Sequence, residues 1–247
     1  WGIFFDVDDV TSHGTMVYNE VHAPVGTRTS LTLSDSTLVW LNSGSSLKFP
    51  IVFDDKNRTV FLEGEAYFEV ESNPSKPFIV QTEMLEVKAT GTKFNVQEYS
   101  TDSSAEITLA EGKVSIGERE KNKGSTIIAD LEPDQHFEYN KETHKANISN
   151  EDAYTYLAWK DGKLIFHNTP LEAVLNKIGT FFNVDIELQG KDLSDYSYHA
   201  TFQDESLEEI LKLLRISAPL DYREVERKPL ADGSFPKKKV LIFPANR

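Results

Sequence analysis

VFLEGEAYFEVESNPSKPFIVQTEMLEVKATGTKFNVQEY, residues 60–99, reads as several β-strands separated by turn chemistry. Ala66, Phe68 and Val70 alternate with other residues at the period of a half-buried strand. Asn73, Pro74, Ser75 and Pro77 break the run, and Phe78 to Thr82 and Leu85 to Ala89 are two further β-rich segments before Thr90-Gly91-Thr92 and Phe94-Asn95-Val96. Glu63-Gly64 sits where a hairpin reversal is expected. Gly64 and Gly91 mark backbone that a Cβ would hinder.

The same plan recurs on either side. Leu33 to Trp40 around Asp35-Ser36, Phe61 to Phe68 around Glu63-Gly64, and Leu109 to Ile116 around Glu111-Gly112 each read as strand, acidic-small pair, strand. Hairpins are the expectation for all three. Their irregular spacing argues against a solenoid of fixed repeat. Residues 117–126 read as a charged loop, Ile127 to Leu131 and His136 to Tyr139 as closing strands, and the polar stretch Lys141 to Asp152 as a boundary. Tyr154 to Trp159 reads as a short connecting helix.

Beyond Trp159 two halves match at a constant offset of 36, Phe166 with Phe202, Leu171 with Leu207, Val174 with Ile210, Leu175 with Leu211 and Ile178 with Leu214. Each half reads as strand, amphipathic helix, strand. Capping boxes are expected at both helix starts, one on Thr169, Pro170 and Glu172, the other on Ser206 and Glu209. Strands are expected at 164–166, 184–188, 198–202, 222–225 and 240–243, with Ala231-Asp232-Gly233 turning between the last two. The fold class is therefore mainly β plus α+β. An all-β unit over residues 1–148, a twisted two-sheet sandwich or hairpin roll, precedes a small duplicated βαβ unit over 149–247.

Composition narrows the functions. With 39% hydrophobic and 11% aromatic residues the chain folds, and a net charge of −14 disfavours nucleic acid or an anionic bilayer as partner. The absence of cysteine excludes disulfides, thiolate metal sites and a Cys nucleophile. No run of 18 apolar residues is present to span a membrane.

His13, His22, His136, His144, His167 and His199 show no recognised metal spacing, and no phosphate-loop, dinucleotide or nucleophile-elbow motif occurs, so no catalytic, cofactor or metal residue is assigned. Glu63, Glu65 and Glu69 alternate on one strand, and Trp40, Tyr67 and Tyr99 are β-domain aromatics. They carry the alternative reading, a carbohydrate-binding or glycoside-hydrolysing protein, provided carboxylates or rings converge in a cleft. Val240, Leu241, Ile242 and Phe243 read as an open edge strand able to accept a partner's strand. Lys237-Lys238-Lys239 would guard that edge.

GEAYFEV at 64–70, PFIVQT at 77–82, ATGTKFNVQEY at 89–99 and ITLAEGKVSI at 107–116, with Leu31 to Leu41 and Leu47 upstream, resemble FecR-type proteins over roughly residues 22–140. WKDGKLIFHNTPLEAVLNKIGTFFNVDIEL at 159–188 resembles the C-terminal domain of Bacteroidetes-type FecR regulators. The duplicated unit resembles the short N-terminal domain of secretins and TonB-dependent receptors.

The resemblance implies the periplasmic part of an inner-membrane anti-sigma regulator that is not an enzyme. Its implied partner is the N-terminal signalling domain of a TonB-dependent receptor serving iron or polysaccharide uptake. A sigma factor would be reached only through a cytoplasmic region outside this sequence, and WGIFF at 1–5 would be the stub of a membrane tether.

Overall fold

The computed structural model describes residues 16–120, 124–190, 193, 195–229 and 236–245. WGIFF, His13 and the expected turn at 231–233 lie outside them. Thirteen strands form one curled sheet: β1 (Tyr18–His22), β2 (Thr29–Thr32), β3 (Leu38–Leu41), β4 (Ser46–Pro50), β5 (Arg58–Glu69), β6 (Phe78–Gln81), β7 (Leu85–Ala89), β8 (Lys93–Glu98), β9 (Ser104–Glu111), β10 (Val114–Glu120), β11 (Gly124–Leu131), β12 (Gln135–Asn140) and β13 (Lys145–Asn150).

The long strand β5 belongs to two wings. Its first half pairs with β4 and β6 in the wing β1-β4-β5-β6-β7-β10-β11, and its second half with β3 and β8 in the wing β2-β3-β5-β8-β9-β12-β13. Gly64 is therefore not a hairpin turn. It lies mid-strand at φ 97°, where the chain passes from one wing to the other. A Cβ there would sit 2.9 Å from Ser45 Cα, and one on Gly91 (φ 149°) would sit 3.0 Å from Ser72 Cα, so both glycines are required as expected.

Glu111-Gly112 is likewise a corner. β9 pairs with β8 and β12 while β10 pairs with β7 and β11, so the turn carries the chain between wings. Of the three expected hairpins only that at Asp35-Ser36, joining β2 to β3, is one. The reason lies in pairing partners: a Gly at a reversal and a Gly at a sheet corner have the same local signature.

Phe68, Phe94, Val96, Ile107 and Phe137 of one wing meet Leu47, Val60, Val80, Val87 and Ile116 of the other in a single apolar core. Arg58, fully buried at the start of β5, donates Nη1 to Asp35 Oδ2 at 2.7 Å and to the Glu71 carbonyl at 2.8 Å, and Nε to the Lys76 carbonyl at 2.9 Å. It pins three loops to one end of the sheet.

Two expectations fail at the sheet's edges. In the charged stretch 117–126, residues 117–120 and 124–126 are strand, not loop: β10 continues to Glu120 and β11 begins at Gly124. β13, in the polar stretch read as a boundary, pairs along all of β12 up to Asn150, so the sheet continues past residue 148. β11 and β13 are edge strands exposed along most of their length. They show no apolar alternation for a periodicity argument to find.

A short helix, α1 (Tyr154–Leu157), and a 3-10 turn (Ala158–Asp161) lead to the duplicated unit. Its elements are β14 (Lys163–Pro170), α2 (Leu171–Phe182), β15 (Val184–Leu188), β16 (Ser197–Gln203), α3 (Leu207–Ser217), β17 (Leu220–Glu224) and β18 (Lys238–Pro244). The equivalent strands β14 and β16 pair antiparallel, and the equivalent Phe166 and Phe202 meet edge-to-face at 6.0 Å. Leu171, Val174, Leu175 and Ile178 of α2 and Ile210, Leu211 and Leu214 of α3 fill a second, separate core.

Ser206 and Glu209 form the expected capping box on α3. Thr169 does not cap α2: it is the penultimate residue of β14, paired with Tyr198, and Pro170 takes the cap position with no side-chain bond.

β18 forms the middle of a three-stranded sheet, parallel to β15 on one side and antiparallel to β17 on the other. Val240, Leu241, Ile242 and Phe243 are therefore not an edge. Ile186↔Val240 and Tyr222↔Ile242 are adjacent pairs across it, and Val240 and Ile242 are fully buried. The last strand of the chain is inserted between the two halves, a return that local pattern does not encode.

Candidate functional site

A cleft of about 720 Å³ lies between the curled sheet and the duplicated unit. Its walls are the end of β8, the following turn and β9 on one side, and α2 and β15 on the other, with α1 and the 3-10 turn as floor.

Trp159 ties the floor to the sheet. Its Nε1 donates to Asn95 Oδ1 at 3.2 Å, and Asn95 Nδ2 donates to Glu65 Oε1 at 2.9 Å. Asn42 Nδ2 donates to the other oxygen, Oε2, at 2.7 Å. Asn42 follows β3, Glu65 is on β5 and Asn95 on β8, adjacent strands of one wing, so the sheet itself sets the spacing. All three side chains are buried. Burial pushes the Glu65 carboxyl up to about 7, against the pull of the two amide donors and of Lys177.

Arg28, in the loop before β2, makes the second tie. Its Nη1 donates to the Trp159 carbonyl at 2.5 Å while the guanidinium lies 4.7 Å from the Phe181 ring centroid on α2. A third tie is Tyr156. Its ring stacks on His136 at 4.1 Å, and Lys177 Nζ of α2 lies 4.9 Å from its centroid. His136 Nδ1 is 2.8 Å from Thr108 Oγ1, and Nε2 is 3.8 Å from Glu106 Oε2. Burial lowers the His136 pKa to about 4, so its imidazole is neutral at neutral pH.

The alternative carbohydrate reading meets a different geometry from the one it needs. Glu63 is exposed, Glu65 is buried, and Glu69 is half-buried and accepts from Tyr67 Oη at 3.2 Å, so the three carboxylates do not converge. The positive φ at Gly64 breaks the simple alternation that placed them on one face. Trp40 and Tyr67 pack on each other at 5.5 Å with Lys160 Nζ 5.9 and 5.3 Å from their ring centroids, and Tyr99 Oη donates to the Ser43 carbonyl at 3.0 Å. These rings are engaged by the protein itself and form no open platform.

Among the described residues no three His, Cys, Asp or Glu side chains group as metal ligands, and no helix is long and apolar enough to cross a membrane. Arg28, Asn42, Asn95 and Lys177 stand in no motif that singles them out in the sequence. One signal was present: Asn95 occupies a position within Phe94-Asn95-Val96 that a strand buried on both faces leaves no solvent for.

Two family profiles match the chain, "FecR protein" over residues 19–115 and "FecR, C-terminal" over 163–229. No curated protein matches its sequence. Two crystal structures of a candidate anti-sigma factor from Parabacteroides distasonis, at 1.65 and 2.50 Å resolution, are 28% identical in sequence. They superpose with TM-scores of 0.77 and 0.76, covering 92% and 93% of this chain and 100% of theirs. Both regions that resemble FecR in wording are thus matched in sequence, and the whole arrangement in structure. The chain belongs to the FecR family of anti-sigma factors.

Proposed function

We propose that this chain is the periplasmic signalling region of a membrane-tethered anti-sigma regulator and that it docks the signalling domain of a TonB-dependent receptor. It comprises a curled-sheet domain ending near residue 150 and a duplicated βαβ domain beyond it. The observation that carries this reading is the joint match of both parts to FecR profiles. Docking transmits a signal only if the receptor domain binds one arrangement of the regulator better than another. The cleft, bridged by Trp159, Arg28 and Tyr156, supplies a joint at which two arrangements can differ.

β18 has no free edge, so a partner strand would pair with an open edge of the same sheet instead, at Val184–Leu188 or Leu220–Glu224. At the second of these the Tyr222 N–H donates to Asp221 Oδ1 at 2.9 Å rather than to β18.

Calorimetric titration with the signalling domain of the receptor encoded beside this chain tests the reading. Micromolar or tighter 1:1 binding is expected. Weakening by Tyr222→Pro would assign the edge to β17, and absence of binding would sink the receptor-docking reading.

A further inference from the structure

Away from the cleft, where the two wings of the sheet approach each other, three side chains meet at a point. Tyr139 of β12 is fully buried, and its hydroxyl is met by two side chains. Glu118 reaches it from β10, in the other wing, and His144 from the turn before β13, held there by a left-handed backbone at φ 54°. Tyr139 Oη to Glu118 Oε1 is 2.7 Å, Tyr139 Oη to His144 Nδ1 is 2.8 Å, and His144 Nδ1 to Glu118 Oε1 is 2.7 Å.

Two-centre hydrogen bonds alone do not fill this triangle. Three two-centre hydrogen bonds would need three protons, one along each edge. The phenol brings one, a neutral imidazole brings at most one at Nδ1, and an ionised carboxylate brings none. At least one edge therefore has no proton of its own and shares one in a three-centre bond, and two lack one if the imidazole proton is on Nε2. A cation seated on the triangle would engage a lone pair of all three atoms at once. The size fits: an octahedral ion with bonds of about 2.0–2.1 Å holds neighbouring donors about 2.8–3.0 Å apart.

We propose that Glu118, Tyr139 and His144 form one face of a binding site for a divalent first-row transition ion. The imidazole, carboxylate and phenol oxygen form an N,O,O set of the kind zinc, cobalt and nickel accept. The His144 side chain is 54% exposed and that of Glu118 29%, so solvent reaches the site on the side of these two residues and can supply water or a further donor. On binding, the imidazole proton rests on Nε2, and the phenol yields its proton to solvent as its oxygen joins the ion, one proton released per ion bound. Because Glu118 and Tyr139 come from different wings, the ion would clasp the sheet across its seam.

The probes are zinc and cobalt ions titrated into the intact chain. Expected are 1:1 binding at tens of micromolar or tighter and release of about one proton, read from the dependence of the heat on buffer ionisation. Cobalt absorption bands and a tyrosinate ultraviolet signature should rise together. His144→Ala, a change at an exposed turn, should weaken binding at least tenfold, and Tyr139→Phe should abolish the tyrosinate signal and the proton release. The exposed pair His167 and His199, stacked at 4.8 Å, is the competing site. Binding that survives His144→Ala and is lost on His167→Ala would overturn the proposal, as would no saturable binding below millimolar metal.

Discussion

Trp159 donates its indole N–H to Asn95, and Asn95 donates in turn to Glu65, so one carboxamide links the connecting segment to a buried carboxylate of the sheet. Trp159→Phe keeps the ring in its pocket with Tyr67, Ala153 and Leu157 and deletes the donor. Asn95 Oδ1 is then buried without that partner, at a cost of about 1–3 kcal/mol. Denaturant unfolding should show that loss, and amide exchange should quicken through residues 154–162. A variant as stable and as protected as the parent would mean the bond is incidental.

Glu65 and His136 titrate in opposite senses across the same pH range. The carboxyl of Glu65 is raised from 4.5 to about 7, so the folded state holds a proton more tightly than the unfolded chain. Its stabilising contribution is complete below pH 4.5 and is lost as pH rises through 7, a change of at most on the order of 3 kcal/mol. His136 is lowered from 6.5 to about 4, so its contribution is present above pH 6.5 and is lost as pH falls through 4. Lys177 and Glu106 face both groups, and Glu151 faces His136.

The two slopes offset each other in the parent. Glu65→Gln should leave stability rising with pH between 4.5 and 6.5, and His136→Asn should leave it falling. Stability measured against pH for the two variants decides this, and parallel curves would refute it.

Arg58 and Asp35 form an ion pair at 2.7 Å with the arginine only 2% exposed. Asp35→Asn keeps the shape and leaves the guanidinium buried without a counter-charge, which should cost about 3–5 kcal/mol. The same substitution at Asp185, whose partner Lys237 is 42% exposed, should cost under about 1 kcal/mol in the same thermal-melt series.

Gly64→Ala and Gly124→Ala separate backbone strain from collision. Both residues have positive φ, 97° and 88°, and each substitution carries the conformational penalty of about 1–2 kcal/mol. Only at Gly64 does the added methyl also meet Ser45, 2.8 Å from its Cβ, whereas nothing lies within 4 Å at Gly124. Gly64→Ala should therefore be clearly the more destabilising, and equal melting temperatures would show that the wing-to-wing bend relaxes.

Ser206→Ala should cost about 0.5–2 kcal/mol because the serine accepts from Glu209 N–H and completes a capping box. Thr169→Ala should cost nothing through capping, since Thr169 is paired in β14 and α2 has no side-chain cap. A helical-content measurement on both variants tests the contrast.

Local pattern was enough for much of this protein. Period-2 alternation in Ala66, Phe68 and Val70 marked the core strand, heptad-like spacing from Leu171 and Leu207 marked both helices, and the offset of 36 exposed the duplication. These are signals carried by side chains within one element, where burial repeats with the element's own period. The family wording was legible for the same reason, since it consists of short contiguous strands and turns.

What local pattern could not reach depends on partners distant in the chain. Gly64 in mid-strand and Gly112 at a corner look alike until pairing separates β5 from β10, and β13 is invisible because an edge strand wetted on both faces has no apolar period. Val240 to Phe243, near the C-terminus, read as an edge, yet lie centrally because β15 and β17 each have an unpaired side for them to fill. The buried chain from Glu65 through Asn95 to Trp159 joins residues 30 and 64 positions apart. Only folding brings them within hydrogen-bond reach, and only then does Glu65 lose the water that would keep it an ordinary carboxylate.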